Sequence, residues 1–108
     1  MIESEAIKGL KELLGDGFSG LVEMFIRDTG QRIVALRGAI TNNDLQETAN
    51  QAHAIKGSSK NLGLESLSDL STQLESEARD SKIENFDQIV TAIEQEFAAT
   101  KAYLSSFI

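Results

Sequence analysis

The feature of this sequence that most constrains its fold is the spacing of its apolar residues, which recur every three or four positions along almost the whole chain. A helix turns by about 100° per residue, so this spacing places the apolar side chains on one helical face. Five such runs are separated by turn-forming residues at 15–17, 42–44, 63 and 80–81. The pattern predicts five amphipathic helices, the first of them short.

The residues at these breaks are typical of helix ends. Residues 42–44 (Asn, Asn, Asp) offer capping side chains to the third helix, and Gly63 is expected to end it. Asn85 and Gln88 have the spacing of a capping box at the start of the fifth helix. Ser59 falls within the apolar stripe of the third helix, so we expect it to pack closely with its hydroxyl bonded to a backbone carbonyl.

The composition favours helices in one domain. The chain has 108 residues and no proline, and helix-favouring residues such as Ala, Leu and Glu are frequent. Short connections between long amphipathic helices are typical of antiparallel neighbours in a bundle. The sequence therefore predicts an all-α protein, an antiparallel four-helix bundle with a short additional N-terminal helix, that forms a single domain over residues 1–108.

Composition also disfavours several classes of function. Cysteine is absent, which excludes disulfides and thiolate metal sites. The net charge of −7 opposes binding to nucleic acid and to anionic lipid. The sequence has neither a signal-peptide pattern nor a run of about 18 apolar residues, so we expect no membrane insertion and a cytoplasmic location.

The single histidine, His53, lies on the third predicted helix, about 120° from the centre of its apolar stripe, and should face solvent. Its helical neighbours are Asn50, Lys56, Gly57 and Lys60. Two ammonium groups and a position without a side chain therefore surround the imidazole. Because glycine weakens a helix interior, we interpret Gly57 as space for another molecule to approach the ring.

Two interpretations of this surface follow from the residues alone. A neutral, exposed imidazole is a nucleophile that can accept a phosphoryl group on a ring nitrogen, and Lys56 and Lys60 could stabilise the charge of that group. Alternatively, His53 is an ordinary surface histidine, the two lysines answer the negative end of the helix dipole, and Gly57 has no function.

Other chemistries fit less well. The segment KGSS at residues 56–59 lacks the upstream glycine of a phosphate-binding loop and lies within a helix. One histidine without cysteines gives no tetrahedral metal site, so we expect no bound metal. No serine lies four residues from His53 to begin a hydrolase network.

The segment HAIKGSSKNLG at residues 53–63 resembles the signature of histidine-containing phosphotransfer (HPt) domains of two-component phosphorelays. That signature has a histidine, two residues, then Lys, Gly, Ser and a small residue, followed by Leu or Phe and Gly. The order of the five predicted helices along the chain also resembles that of HPt domains. The resemblance implies that His53 is phosphorylated, that Lys56 assists with the phosphoryl charge, and that Gly57 leaves room for a docked response-regulator receiver domain.

The resemblance implies a reversible relay. The Nε2 atom of His53 would attack the aspartyl phosphate of one receiver, and the aspartate of a second receiver would then take the phosphoryl group from the phosphohistidine. The chain would be a phosphocarrier without kinase activity of its own. It would bind no cofactor, because the receiver supplies Mg²⁺. The implied partners are response-regulator receiver domains and a hybrid sensor histidine kinase, and the chain is expected to be a monomer.

A further implication concerns the second ring nitrogen, Nδ1, which should be held by a hydrogen-bond acceptor. Some family members have a glutamine on the following helix that contacts the imidazole, and counting along the motif puts Glu75 at that place. A carboxylate there would hold a proton on Nδ1. We expect Glu75 instead to face solvent.

The family's mode of docking suggests an apolar patch near the histidine, made by the first three helices. The candidates are Ile7, Leu10, Leu14, Phe18 and Met24, with Asn50 beside the histidine. For each of the apolar candidates taken singly, the spacing favours the alternative interpretation of a core residue. The alternative function is a helical adaptor that binds a receiver domain without being phosphorylated.

Overall fold

The computed structural model describes residues 2–108, with side chains from residue 5 onward. Its five α-helices are α1 (Ile2–Leu14), α2 (Gly17–Thr41), α3 (Leu45–Asn61), α4 (Glu65–Arg79) and α5 (Phe86–Ser105). No β-strand occurs within residues 2–108. The prediction of an all-α fold with a short first helix is confirmed.

The four long helices enclose the core, because α2 and α4 each pack against both α3 and α5. Each long helix contributes fully buried side chains, among them Leu36, Ile55, Leu74 and Ile93. Burying one such side chain contributes roughly 2 kcal/mol to folding. The regularly spaced apolar residues of the sequence thus form the face that each helix turns towards the core. The antiparallel direction of all four helices stays a prediction from their short connections.

The first helix packs against the connection between α3 and α4. Gly63, in this connection, has a positive φ of 72°, and a Cβ atom built there would lie 2.7 Å from the Cβ of Ala6. Glycine is therefore required for its conformation and for the close approach of α1. The backbone N–H of Leu64 donates to the carbonyl of Ser59 at 2.9 Å, which ends α3 and sets where α4 begins.

The predicted polar contacts at the helix ends are partly wrong. The carboxylate of Asp44 accepts a hydrogen bond from the backbone N–H of Glu47 at 3.0 Å, as a capping side chain should. Asn85 makes no capping hydrogen bond, because its amide donates instead to Glu77 of α4 at 3.3 Å. Ser59 is buried as predicted, but its hydroxyl has no hydrogen-bond partner within residues 5–108, so its predicted bond to a carbonyl is also wrong.

None of the helices that the structure describes is both long and apolar enough to span a lipid bilayer.

Candidate functional site

His53 lies on the exposed side of α3. Ala52 and Ile55, both completely buried in the core, fix the orientation of α3 about its own axis. At about 100° per residue this orientation turns position 53 outward, and 63% of the His53 side chain is exposed. The imidazole is therefore accessible to another molecule, as the sequence predicted.

Glu75 lies beside His53, and its predicted exposure to solvent is wrong. Only 8% of Glu75 is exposed, and its Oε2 lies 2.9 Å from the Nδ1 of His53. The reason is the close packing of α4 against α3, where both helices bury small side chains such as Ala52 and Ser71. An ionised carboxylate can only accept, so Nδ1 is the donor in this hydrogen bond.

Two cationic side chains complete the surroundings of this carboxylate. The Nζ of Lys56 lies 3.1 Å from Oε1 of Glu75, while Nη2 and Nε of Arg79 lie 2.8 and 3.2 Å from Oε2. Burial raises the pKa of Glu75, but hydrogen bonds from Arg79, Lys56 and His53 outweigh this and lower the pKa to about 2. Glu75 is therefore ionised at neutral pH.

This arrangement decides which nitrogen of His53 can react. A carboxylate that accepts from Nδ1 favours the neutral tautomer with its proton on Nδ1, so Nε2 keeps a lone pair. The side chain's exposure leaves that second nitrogen accessible. Chemically, His53 can act as a nucleophile through Nε2, and Glu75 can stabilise the positive charge that develops on the ring during attack.

The surface around the imidazole is open at Gly57. This residue is exposed, and a Cβ atom built on it would meet no other atom within 4 Å. The packing of the protein itself therefore does not require glycine at this position of α3. Lys60 is also exposed and has no ion-pair partner within residues 5–108.

The predicted docking patch is only partly present. Ile7 is completely buried and Phe18 is 2% exposed, so the prediction that they belong to an exposed patch is wrong. Their apolar spacing serves the core instead. Leu10 is half-buried against the core, whereas Leu14 and Met24 are exposed by 39% and 59%.

Met24 lies at a groove between α2 and α3 that the sequence did not predict. Its lining comes from α2, from the end of α3 and from the residue that follows α3, and its polar residues are Asp28, Ser58 and Asn61. Apolar side chains of the lining are Leu21, Met24, Phe25 and Leu62. Asn50, the remaining docking candidate, is exposed and accepts a hydrogen bond from the amide of Gln46 at 2.9 Å.

Arg79 is the site residue that the sequence analysis missed. It lies one helical turn after Glu75, and this spacing of four residues is the signal that could have identified it. The sequence predicts Lys56 as a partner for a phosphoryl group, whereas in the structure its ammonium group pairs with Glu75.

Comparisons with known proteins agree with this fold. The model of the Hpt domain family matches residues 20–103. Among solved structures, the chain is similar to histidine-containing phosphotransfer protein B (HptB) from Pseudomonas aeruginosa PAO1, with a TM-score of 0.90 and 26% sequence identity. That match covers 94% of this chain and 89% of the HptB chain. No curated protein gave a significant match.

The family match covers well over half of the chain, and the chain therefore belongs to the Hpt domain family. Its helical bundle is the Hpt fold. Members of this family are phosphocarriers rather than kinases, and they work with receiver domains and histidine kinases in phosphorelays.

Proposed function

We propose that this chain carries a phosphoryl group on Nε2 of His53 and relays it between the aspartates of receiver domains. The observation that supports this most strongly is the geometry of the imidazole. Nδ1 lies 2.9 Å from the buried carboxylate of Glu75, while most of the ring is exposed. Such an arrangement suits a nucleophile that must meet its phosphoryl donor on a second protein.

In the accepting step, the lone pair of Nε2 attacks the phosphorus of a receiver's aspartyl phosphate. A bond between phosphorus and Nε2 forms, and the bond between phosphorus and the aspartate oxygen breaks, which releases the aspartate carboxylate. The ring keeps its proton on Nδ1 and becomes positively charged, and Glu75 stabilises that charge at 2.9 Å. The donating step is the reverse, with a second receiver's aspartate as the nucleophile.

The neighbours of His53 have separate roles in this proposal. Lys56, with a side chain 32% exposed beside the histidine, can reach from Glu75 towards the transferred phosphoryl group. Gly57 leaves open space through which the receiver's active site approaches the ring. Lys60 adds positive charge at the edge of this surface. The Mg²⁺ that such a transfer uses belongs to the receiver, so this chain binds no cofactor.

The partners in this proposal are response-regulator receiver domains and a hybrid sensor histidine kinase, with the chain acting as a monomer. The groove beside Met24 is a candidate for the apolar part of the receiver contact, because it joins α2 to the helix that carries His53. Leu10 and Leu14 of α1 are further candidates, whereas the buried Ile7 and Phe18 are not.

The experiment that tests this function mixes the chain with a receiver domain that has been charged by a small-molecule phosphodonor and Mg²⁺. Wild type and His53→Gln are compared for phosphate that is labile in acid and stable in base. We expect label on the wild type and none on His53→Gln. His53 is exposed, so the substitution should leave the fold intact, which circular dichroism checks.

A failure of this experiment has a defined meaning. If neither protein is labelled across a panel of receivers that still bind both, the proposal of a phosphocarrier is wrong and the adaptor alternative is supported. If His53→Gln is labelled as strongly as wild type, His53 is not the phosphorylated residue.

A further inference from the structure

The side chain of Arg79 contacts the site without touching His53. Its Nη2 and Nε lie 2.8 and 3.2 Å from Oε2 of Glu75, the same oxygen that lies 2.9 Å from Nδ1 of His53. Lys56 contacts the other oxygen, Oε1, at 3.1 Å. The atom that orients the imidazole is therefore held by Arg79 and not by Lys56.

The burial of Glu75 explains why this contact matters. Its side chain is 10% exposed, and an ionised carboxylate with so little water needs charged partners to stay in place. Arg79 offers two N–H groups of a rigid, planar guanidinium, whereas Lys56 offers one ammonium group on a flexible stem. Of the two cations, Arg79 is thus the one that can define the direction of the carboxylate.

The position of Arg79 also separates it from the chemistry. It lies four residues after Glu75 on α4, and its side chain is 50% exposed. Lys56 lies on α3 with His53 and, in the proposed function, leaves Glu75 to meet the phosphoryl group. The carboxylate would then depend on Arg79 alone among its cationic neighbours within residues 5–108.

We propose that Arg79 is a positioning residue, which holds Oε2 of Glu75 against Nδ1 of His53 so that the imidazole presents an unprotonated Nε2 to the phosphoryl donor. This inference rests on the proposed phosphocarrier function. Without Arg79, Glu75 is anchored through Oε1 alone and turns away from the ring, so the proton of the imidazole is free to move to Nε2. The nucleophilic lone pair is then lost from the exposed nitrogen.

The test compares Arg79→Met with Arg79→Lys and with a control, Arg37→Met. Arg37 also pairs with carboxylates of a neighbouring helix, Asp87 and Glu94 of α5, but lies on α2 and does not contact Glu75. Long-range ¹H–¹⁵N correlation NMR at about pH 9 reports which nitrogen of the neutral imidazole carries the proton. The chain has one histidine, so its ring signals need no assignment.

We expect the proton on Nδ1 in wild type, Arg37→Met and Arg79→Lys, and a visible population with the proton on Nε2 in Arg79→Met. The rate at which His53 accepts label from a charged receiver should fall about tenfold in Arg79→Met, the effect of losing one charge-assisted hydrogen bond. Arg79→Lys should recover most of this rate. A purely structural role would change the melting temperature and leave the tautomer unchanged.

The result that would overturn the inference is an Arg79→Met protein whose tautomer and labelling rate match those of Arg37→Met while wild type is labelled. Failure of the proposed function looks different, because wild type itself then takes no label from any receiver. Because the tautomer is measured without a receiver, it tests the contact between Arg79 and Glu75 in both cases.

Discussion

Within residues 5–108, two clusters of charged side chains join neighbouring helices, and they are built in opposite ways. Between α3 and α4, a carboxylate with 10% exposure, Glu75, lies at the centre of its ion pairs. Between α2 and α5, the centre is a cation, Arg37, whose guanidinium pairs with Asp87 and lies 2.7 Å from Glu94. These two carboxylates are 84% and 42% exposed.

The difference shows how burial distinguishes the ion pairs around His53 from ordinary surface ion pairs. Water screens the exposed carboxylates around Arg37, so their pairs contribute little to folding and can be lost without affecting other groups. Glu75 is largely excluded from water, so each of its partners is needed to stabilise its charge. One of these partners is the exposed imidazole of His53. The same kinds of residues therefore form a water-screened surface cluster in one place and, in the proposed function, orient the imidazole of His53 in the other.

The largest expected effect comes from removing the central residue of the site. Glu75→Ala takes away the acceptor for Nδ1, and the rate at which His53 accepts label should fall about 10- to 100-fold, the loss seen when histidine ligands of metals lose such a partner. Arg37→Ala, the matched change at the other cluster, should keep the rate within about twofold of wild type. Single-turnover labelling from a charged receiver measures both. Equal slowing in the two variants would contradict the comparison.

The next effect is on stability in acid. The pKa of Glu75 is lowered from 4.5 to about 2, so the folded state favours its ionised form. This stabilisation is fully present above pH 4.5, and it is lost as the pH falls towards 2. Its size should be on the order of 2 kcal/mol, since the cationic partners are partly exposed to water.

Urea unfolding of wild type and Glu75→Gln between pH 7 and pH 2 measures this contribution. The stability advantage of wild type should shrink across the acid range, because the glutamine does not titrate. Glu94→Gln at the exposed cluster serves as the control and should show a smaller change with pH. An advantage that stays constant down to pH 2 would show that Glu75 is not held as its contacts indicate.

A subtler comparison uses one glycine near each cluster. Gly57 beside His53 and Gly38 beside Arg37 both lie inside helices, and a Cβ atom on either would meet nothing within 4 Å. Gly57→Gln and Gly38→Gln should each stabilise the fold by about 0.5–1 kcal/mol.

The two glycine variants should differ in transfer. We expect Gly57→Gln to slow transfer from a receiver on the order of tenfold, because the new side chain displaces the approaching active site. Gly38→Gln should transfer at the wild-type rate. Thermal melts with labelling kinetics separate these effects, and unchanged transfer in Gly57→Gln would remove this role from Gly57.

Much of the fold was predictable because apolar spacing reports directly on which face of a helix is buried. The five helices and the outward position of His53 follow from that periodicity. Asp44 and Gly63 were correctly predicted to lie at the two ends of α3. The same periodicity could not tell core from docking surface. The positions of Ile7 and Phe18 in the apolar pattern fit both a core residue and a docking residue. Their burial depends on how α1 packs against the rest of the bundle.

The sequence predicted where the carboxylate of the site lies along the chain, but it did not predict that this carboxylate is buried. Counting along the motif identified Glu75, but its burial depends on how closely α4 approaches α3, which no single helix encodes. Small buried residues such as Ser71 and Ala78 permit that approach. Arg79 was missed for the same reason, since its contact with Glu75 gains importance only once the carboxylate is known to be buried.

The position of the phosphoryl group on the imidazole is the most direct test of the proposed relay. Wild-type protein labelled with ¹⁵N is phosphorylated by a charged receiver, and ¹H–¹⁵N and ³¹P NMR identify the nitrogen that bears the phosphorus. We expect phosphorus on Nε2 of His53, with Nδ1 protonated and donating to Glu75. Phosphorus on Nδ1, or on any residue other than His53, would contradict it.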